Sequence, residues 1–121
     1  SHCFIFSLMS NAFVNKKVDL TSTSATTIYT VPTATTAVIK SILVSEDSGN
    51  ADTITVTITD TDSAVFSLFK TKAISANATS ELLTAPLVAE ESEIIKVTAA
   101  TANRLHVVLS ALEIKPREVT T

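Results

Sequence analysis

Between residues 52 and 60, threonine alternates without a break with Ile54, Val56 and Ile58. A period of two places the branched apolar side chains on one face and the hydroxyls on the other, which predicts a strand with one buried side. Similar stretches recur along the chain. Strands are expected at residues 13–20, 26–31, 36–45, 64–70, 93–99 and 103–114, with shorter, less regular candidates at 73–76 and 82–87. The second stretch stops at Pro32, which cannot donate to a ladder. In the last stretch Leu105, Val107 and Leu109 share one parity while Leu112 and Ile114 take the other, so a β-bulge is expected near Ser110 or Ala111. Helical spacing is nearly absent, and residues 80–85, just before Pro86, suffice for a single turn only.

Short polar connectors separate these stretches. Residues 46–51 hold the only glycine, Gly49, and read as a hairpin loop; residues 60–63 and 101–103 read as tight turns. With a single glycine, the turns are expected to be of types that demand positive φ at few sites. Many short strands spaced by turns predict an all-β fold: a single antiparallel β-sandwich of about eight strands, jelly-roll or immunoglobulin-like. The expected organisation is an N-terminal arm or extension at 1–12, a sandwich domain at 13–115 and a C-terminal tail at 116–121. Met9 reads like a natural start, which would make residues 1–8 either an upstream extension or a docking arm, irregular or only locally ordered.

Two strands carry more apolar side chains than one buried face can use. Under strict alternation Ile39 and Leu43 oppose Val38, Ile42 and Val44, and Val65 and Phe69 oppose Phe66 and Leu68. Either the chain covers both sides itself, or one face packs on another subunit. On the second reading the candidate partner interface is Val38, Ile42, Val44, Phe66 and Leu68, and the chain is a homo-oligomer.

Composition supports that picture and removes most alternatives. The chain has 121 residues, 20 of them threonine and 14 serine, which together with valine and isoleucine favour strands. A domain of this length buries roughly two-thirds of its unfolded surface, so no disulfide or metal staple is needed, and the lone Cys3 fits folding in a reducing cytoplasm. Net charge is −3, and the nine basic residues are scattered with few aromatics between them, which argues against nucleic-acid binding. Mean hydropathy is +0.37, yet no apolar run approaches the roughly 20 residues that span a bilayer.

Candidate chemistry is sparse. His106 lies between Leu105 and Val107 on an expected strand, and a catalytic triad would need a serine and a carboxylate converging on it. His2 and Cys3 are adjacent in a terminal arm and make no closed metal site. Asp60 and Asp62 suit turn capping better than calcium, because the fuller acidic loop with its turn glycine is missing. Glycoside chemistry or lectin binding would call for sugar-stacking aromatics, and the chain has no tryptophan and one tyrosine. No catalytic residue, metal ligand or cofactor site is therefore assigned, and the chain is read as not an enzyme.

Residues 25–32 (ATTIYTVP), 36–45 (TAVIKSILVS) and 50–56 (NADTITV) resemble small virion structural proteins of tailed bacteriophages, in the style of marine and cyanobacterial phages. The likeness extends over roughly residues 13–114, through motifs that encode a sandwich more than a binding site. It implies a capsid decoration or cement protein on the capsid surface, bound to the major capsid protein or other virion proteins. A neck, tail or baseplate component is the alternative within the same class, and a host-glycan-binding module the alternative outside it.

Overall fold

The computed structural model describes the backbone of residues 5–120 and the side chains of residues 10–116. Nine strands form two antiparallel sheets packed face to face: β1 (Ile5–Asp19), β2 (Thr26–Thr30), β3 (Thr36–Glu46), β4 (Asp52–Thr59), β5 (Val65–Ile74), β6 (Thr79–Glu81), β7 (Leu87–Ala89), β8 (Ile94–Ala99) and β9 (Leu105–Thr120). The first sheet runs β1-β9-β3-β6, with β7 also paired to β3, and the second runs β2-β8-β4-β5. β6 and β7 share one edge position, separated by an excursion at residues 82–86. Taken as one interrupted strand, they complete the interleaved eight-strand order of a jelly roll. That order decides between the two topologies the sequence left open.

Connectivity explains one misreading of a loop. Residues 46–51 join β3 in one sheet to β4 in the other, so they form a crossing and not a hairpin. The hairpin is β4–β5, closed at Asp60, whose backbone N–H donates to the Ala64 carbonyl at 2.9 Å and whose Oδ1 accepts from the N–H groups of Asp62 and Ala64, each at 2.9 Å. Asp60 thus caps its own turn.

The core follows the alternation. Ile54 and Val56 of β4, Ile95, Val97 and Ala99 of β8, and Leu105, Val107, Leu109 and Ala111 of β9 all point between the sheets and are buried. β9 keeps one parity as far as Glu113, so the expected bulge is not on that strand. It lies on β3, directly opposite: Ile39 pairs with Ala111 and Ser41 with Ser110, leaving Lys40 as the extra residue. The slip re-phases β3, so that Ala37 and Ile39 before it and Ile42 and Val44 after it all face the core at 0% exposure. At the same place the Glu81 carboxylate accepts from the Ile42 N–H at 2.8 Å and from the Ser41 hydroxyl, satisfying the backbone where the edge strand is interrupted.

Other expectations shift. The stretch expected at 73–76 is the end of β5, reached through an irregularity at Thr71, and most of 82–87 is the excursion between β6 and β7. Residues 5–8, expected to be irregular or only locally ordered, belong to β1 and pair along β9 from Ile5 opposite Thr120 onward. β3 meets β9 only up to Thr36 opposite Ile114, so beyond that point β1 and β9 continue as a two-stranded ribbon. The turns also differ from expectation. Six non-glycine residues, Ala34, Ser63, Thr71, Asn77, Ser92 and Asn103, adopt positive φ of 48–68° alongside Gly49 at 80°. The fold thus uses left-handed conformations freely and fills them with residues that pay a steric cost there.

Candidate functional site

The two outer faces of the sandwich differ in chemistry. On the β2-β8-β4-β5 sheet, Thr53, Thr55, Thr57 and Thr59 point outward, half-buried, with Thr55 opposite Thr98 and Thr57 opposite Lys96. Thr55 Oγ1 also accepts from the Thr71 N–H at 3.0 Å, which ties down the irregular segment of β5. This face is a hydrated hydroxyl surface with little charge.

The outer face of the other sheet carries an apolar row. Cross-strand register sets Phe13 of β1 opposite Leu112 of β9, Leu112 opposite Val38 of β3, and Val38 opposite Val88 of β7. Phe13 is 80% exposed and Val88 57%, while Leu112 and Val38 are half-buried between them. Four residues further along β1 and β9, Lys17, Val108, Leu43 and Glu81 make a second row with a charge at each end. The intervening row is Asn15, Ser110 and Ser41, which is polar and uncharged.

The five residues nominated from sequence separate. Ile42 and Val44 are fully buried in the chain's own core and cannot meet a partner. Their apparent outward parity came from counting straight through the Lys40 bulge. Val38 lies in the apolar row. Phe66, 55% exposed, and the half-buried Leu68 lie on edge strand β5 of the other sheet. There Leu68 and Phe69 line an apolar groove of about 300 Å³ with Leu82, Leu83, Pro86 and Leu87. Phe13 and Val88 were missed. Phe13 did carry a signal, being the apolar exception on the face of β1 opposite Val14, Val18 and Leu20.

Buried polar groups are structural. Glu46, 2% exposed, closes the β3–β4 crossing: its carboxylate accepts from the N–H groups of Ser48 (2.8 Å), Gly49 (3.0 Å), Asn50 (3.1 Å) and Asn77 (3.0 Å), and from the Ser48 hydroxyl. Burial pushes its pKa upward, but these donors outweigh it and hold the carboxyl at about 2. Tyr29 of β2 donates its hydroxyl to Glu113 of β9 at 2.6 Å, linking the sheets across the core, and Lys115 Nζ lies 3.7 Å from the same carboxylate. Burial, followed by the bond to Glu113 and the nearby charge, raises the Tyr29 pKa. His106 lies on the outer face with Nε2 3.2 Å from Asp19 and Nδ1 3.5 Å from Asp47, tying three segments together at the surface. Among the described residues no cluster of three or more His, Cys, Asp or Glu could hold a metal; His2 and Cys3 lie outside them.

The architecture is that of an eight-strand jelly roll. No family model matches the chain, and no curated protein does. Among solved structures it is similar to a chain of the acid-stable capsid of Helicobacter pylori bacteriophage KHP30, with 12% identity and a TM-score of 0.54, covering 98% of both chains. It also aligns with a chain of the cyanophage Pam1 capsid at 20% identity and a TM-score of 0.38, covering 90% of this chain and 84% of that one. A chain of infectious bursal disease virus, Gx strain, aligns at 10% identity and a TM-score of 0.46, over 99% of this chain but 36% of that one. The KHP30 likeness shows a shared fold from end to end. It agrees with the resemblance to phage virion proteins read from the strand motifs.

Proposed function

We propose that this chain is a non-enzymatic structural protein of a phage virion: a decoration or cement protein that binds the major capsid protein and stabilises the head. The observation that carries the reading is the correspondence of the whole chain, 98% on both sides, with a chain from a phage capsid. Its faces suit the role, since one sheet presents hydroxyls to solvent and the other presents exposed apolar side chains beside uncharged polar ones.

The test is cryo-microscopy of the intact particle together with quantitative mass spectrometry of purified virions. A decoration protein occurs on the head in numbers comparable with the major capsid protein, and particles lacking it lose their contents at lower temperature or ionic strength. A few copies at one vertex or along the tail would instead support a neck, tail or baseplate role. Absence from purified virions would overturn both readings.

A further inference from the structure

We propose that the outer face of the β1-β9-β3-β7 sheet is a two-fold interface between two copies of this chain. Strand register and charge point to it independently of the virion reading. Consider a two-fold axis parallel to the strands, in the plane of contact and midway between β9 and β3. It lays β1 of one copy over the β6/β7 edge of the other, and β9 over β3. Phe13 then meets Val88 of the second copy, and Leu112 meets Val38, all four drawn from the one apolar row. Four residues along β1 and β9, Lys17 meets Glu81, which is the opposite charge, while Val108 meets Leu43. The intervening row sets Ser110 over Ser41, with the exposed Lys40 of the bulge beside it. The face is thus complementary to itself about this axis, as an isologous contact requires.

The area is sufficient. Four strand positions about 4.8 Å apart and about eight residues at roughly 3.3 Å each give a footprint of about 500 Å² per copy. The pair therefore buries about 1,000 Å², the lower bound for a specific interface. Phe13, 80% exposed at one end of the row, is the residue whose burial would contribute most.

Sedimentation equilibrium of the full chain at tens of micromolar tests the proposal, with circular dichroism to verify that each variant is folded. The expected result is a dimer. Phe13→Glu, at an exposed position, should weaken it by about 30-fold or more while leaving the fold intact. Lys17→Glu should weaken it by about 5- to 10-fold, while Lys16→Glu, on the other parity of β1, should leave it unchanged, because only Lys17 meets Glu81 in this register. A monomer at these concentrations, a trimer, a dimer indifferent to Phe13→Glu, or one that Lys17→Glu leaves as tight as the parent would each overturn the proposal. A monomer that still binds phage heads, and loses that binding with Phe13→Glu, would assign the face to a different virion protein; it would reject the second copy while leaving the virion reading standing.

Discussion

Deleting Lys40 should leave the protein folded and nearly as stable, and the reason lies in the phase of β3. Ile39 faces Ala111 and Ser41 faces Ser110, so Lys40 is the one residue of β3 without a partner on β9. Without it the sequence reads Ala37 in, Val38 out, Ile39 in, Ser41 out, Ile42 in, Leu43 out, Val44 in: a regular alternation with every core side chain retained. The expected cost is within about 1 kcal/mol, reflecting lost local twist. Deleting Leu43 should act in the opposite way. It turns Val44 and Glu46 outward and Ser45 inward, which removes a fully buried valine worth about 1.5–3 kcal/mol and dismantles the Glu46 bonds as well. Against a total stability of about 5–15 kcal/mol, that combination should leave little folded protein at 37 °C. Equilibrium urea unfolding of the parent and both deletions, comparing midpoints and slopes, measures the difference. If strict alternation held through Lys40, Ile42 and Val44 would face outward in the parent, and the deletion would drive them into the core. A loss above about 3 kcal/mol for the Lys40 deletion, or a tolerated Leu43 deletion, would refute the register argument.

Three further outcomes are expected. The Glu46 carboxyl has a folded pKa of about 2 against an ordinary 4.5, so its contribution is complete above about pH 4.5 and is lost as pH falls through about 2; the Tm gap between parent and Glu46→Gln should be widest near neutral pH and close across that window. Tyr29→Phe removes the only hydroxyl donor to the buried Glu113 carboxylate and should cost about 1.5–3 kcal/mol in urea unfolding, with a double-mutant cycle against Glu113→Gln giving a coupling well above zero. Ser63→Gly and Ser92→Gly replace residues at φ 63° and 68° whose side chains make no hydrogen bond, and each should raise stability by about 0.5–1 kcal/mol in thermal melts.

What the sequence revealed depended on how far apart the interacting residues lie along the chain. Within β4, β8 and most of β9 the alternation is uninterrupted, and the buried set could be read residue by residue. β3 was misread because a bulge is one inserted residue with no compositional mark, and a lysine is as acceptable in a bulge as on a regular outer face. The β3–β4 crossing passed for a hairpin because a loop flanked by two strands looks the same locally whether they pair with each other or enter different sheets. Glu46 read as a loop acid for a similar reason: Asn77, one of its donors, comes from a connector 31 residues away. The apolar row takes this furthest. Phe13, Leu112, Val38 and Val88 are scattered through the chain, and each taken alone is an ordinary exposed or half-buried side chain on a strand. The jelly roll makes a surface of them by inserting its last long strand between its first and third, and the Lys40 slip fixes which residues of β3 share that surface with β9. The same bulge that hides the core from a sequence reader keeps Val38 and Leu43 together on the outside, in step with Leu112 and Val108. A search for partner surfaces in such chains should therefore establish strand register first and rank apolar residues second.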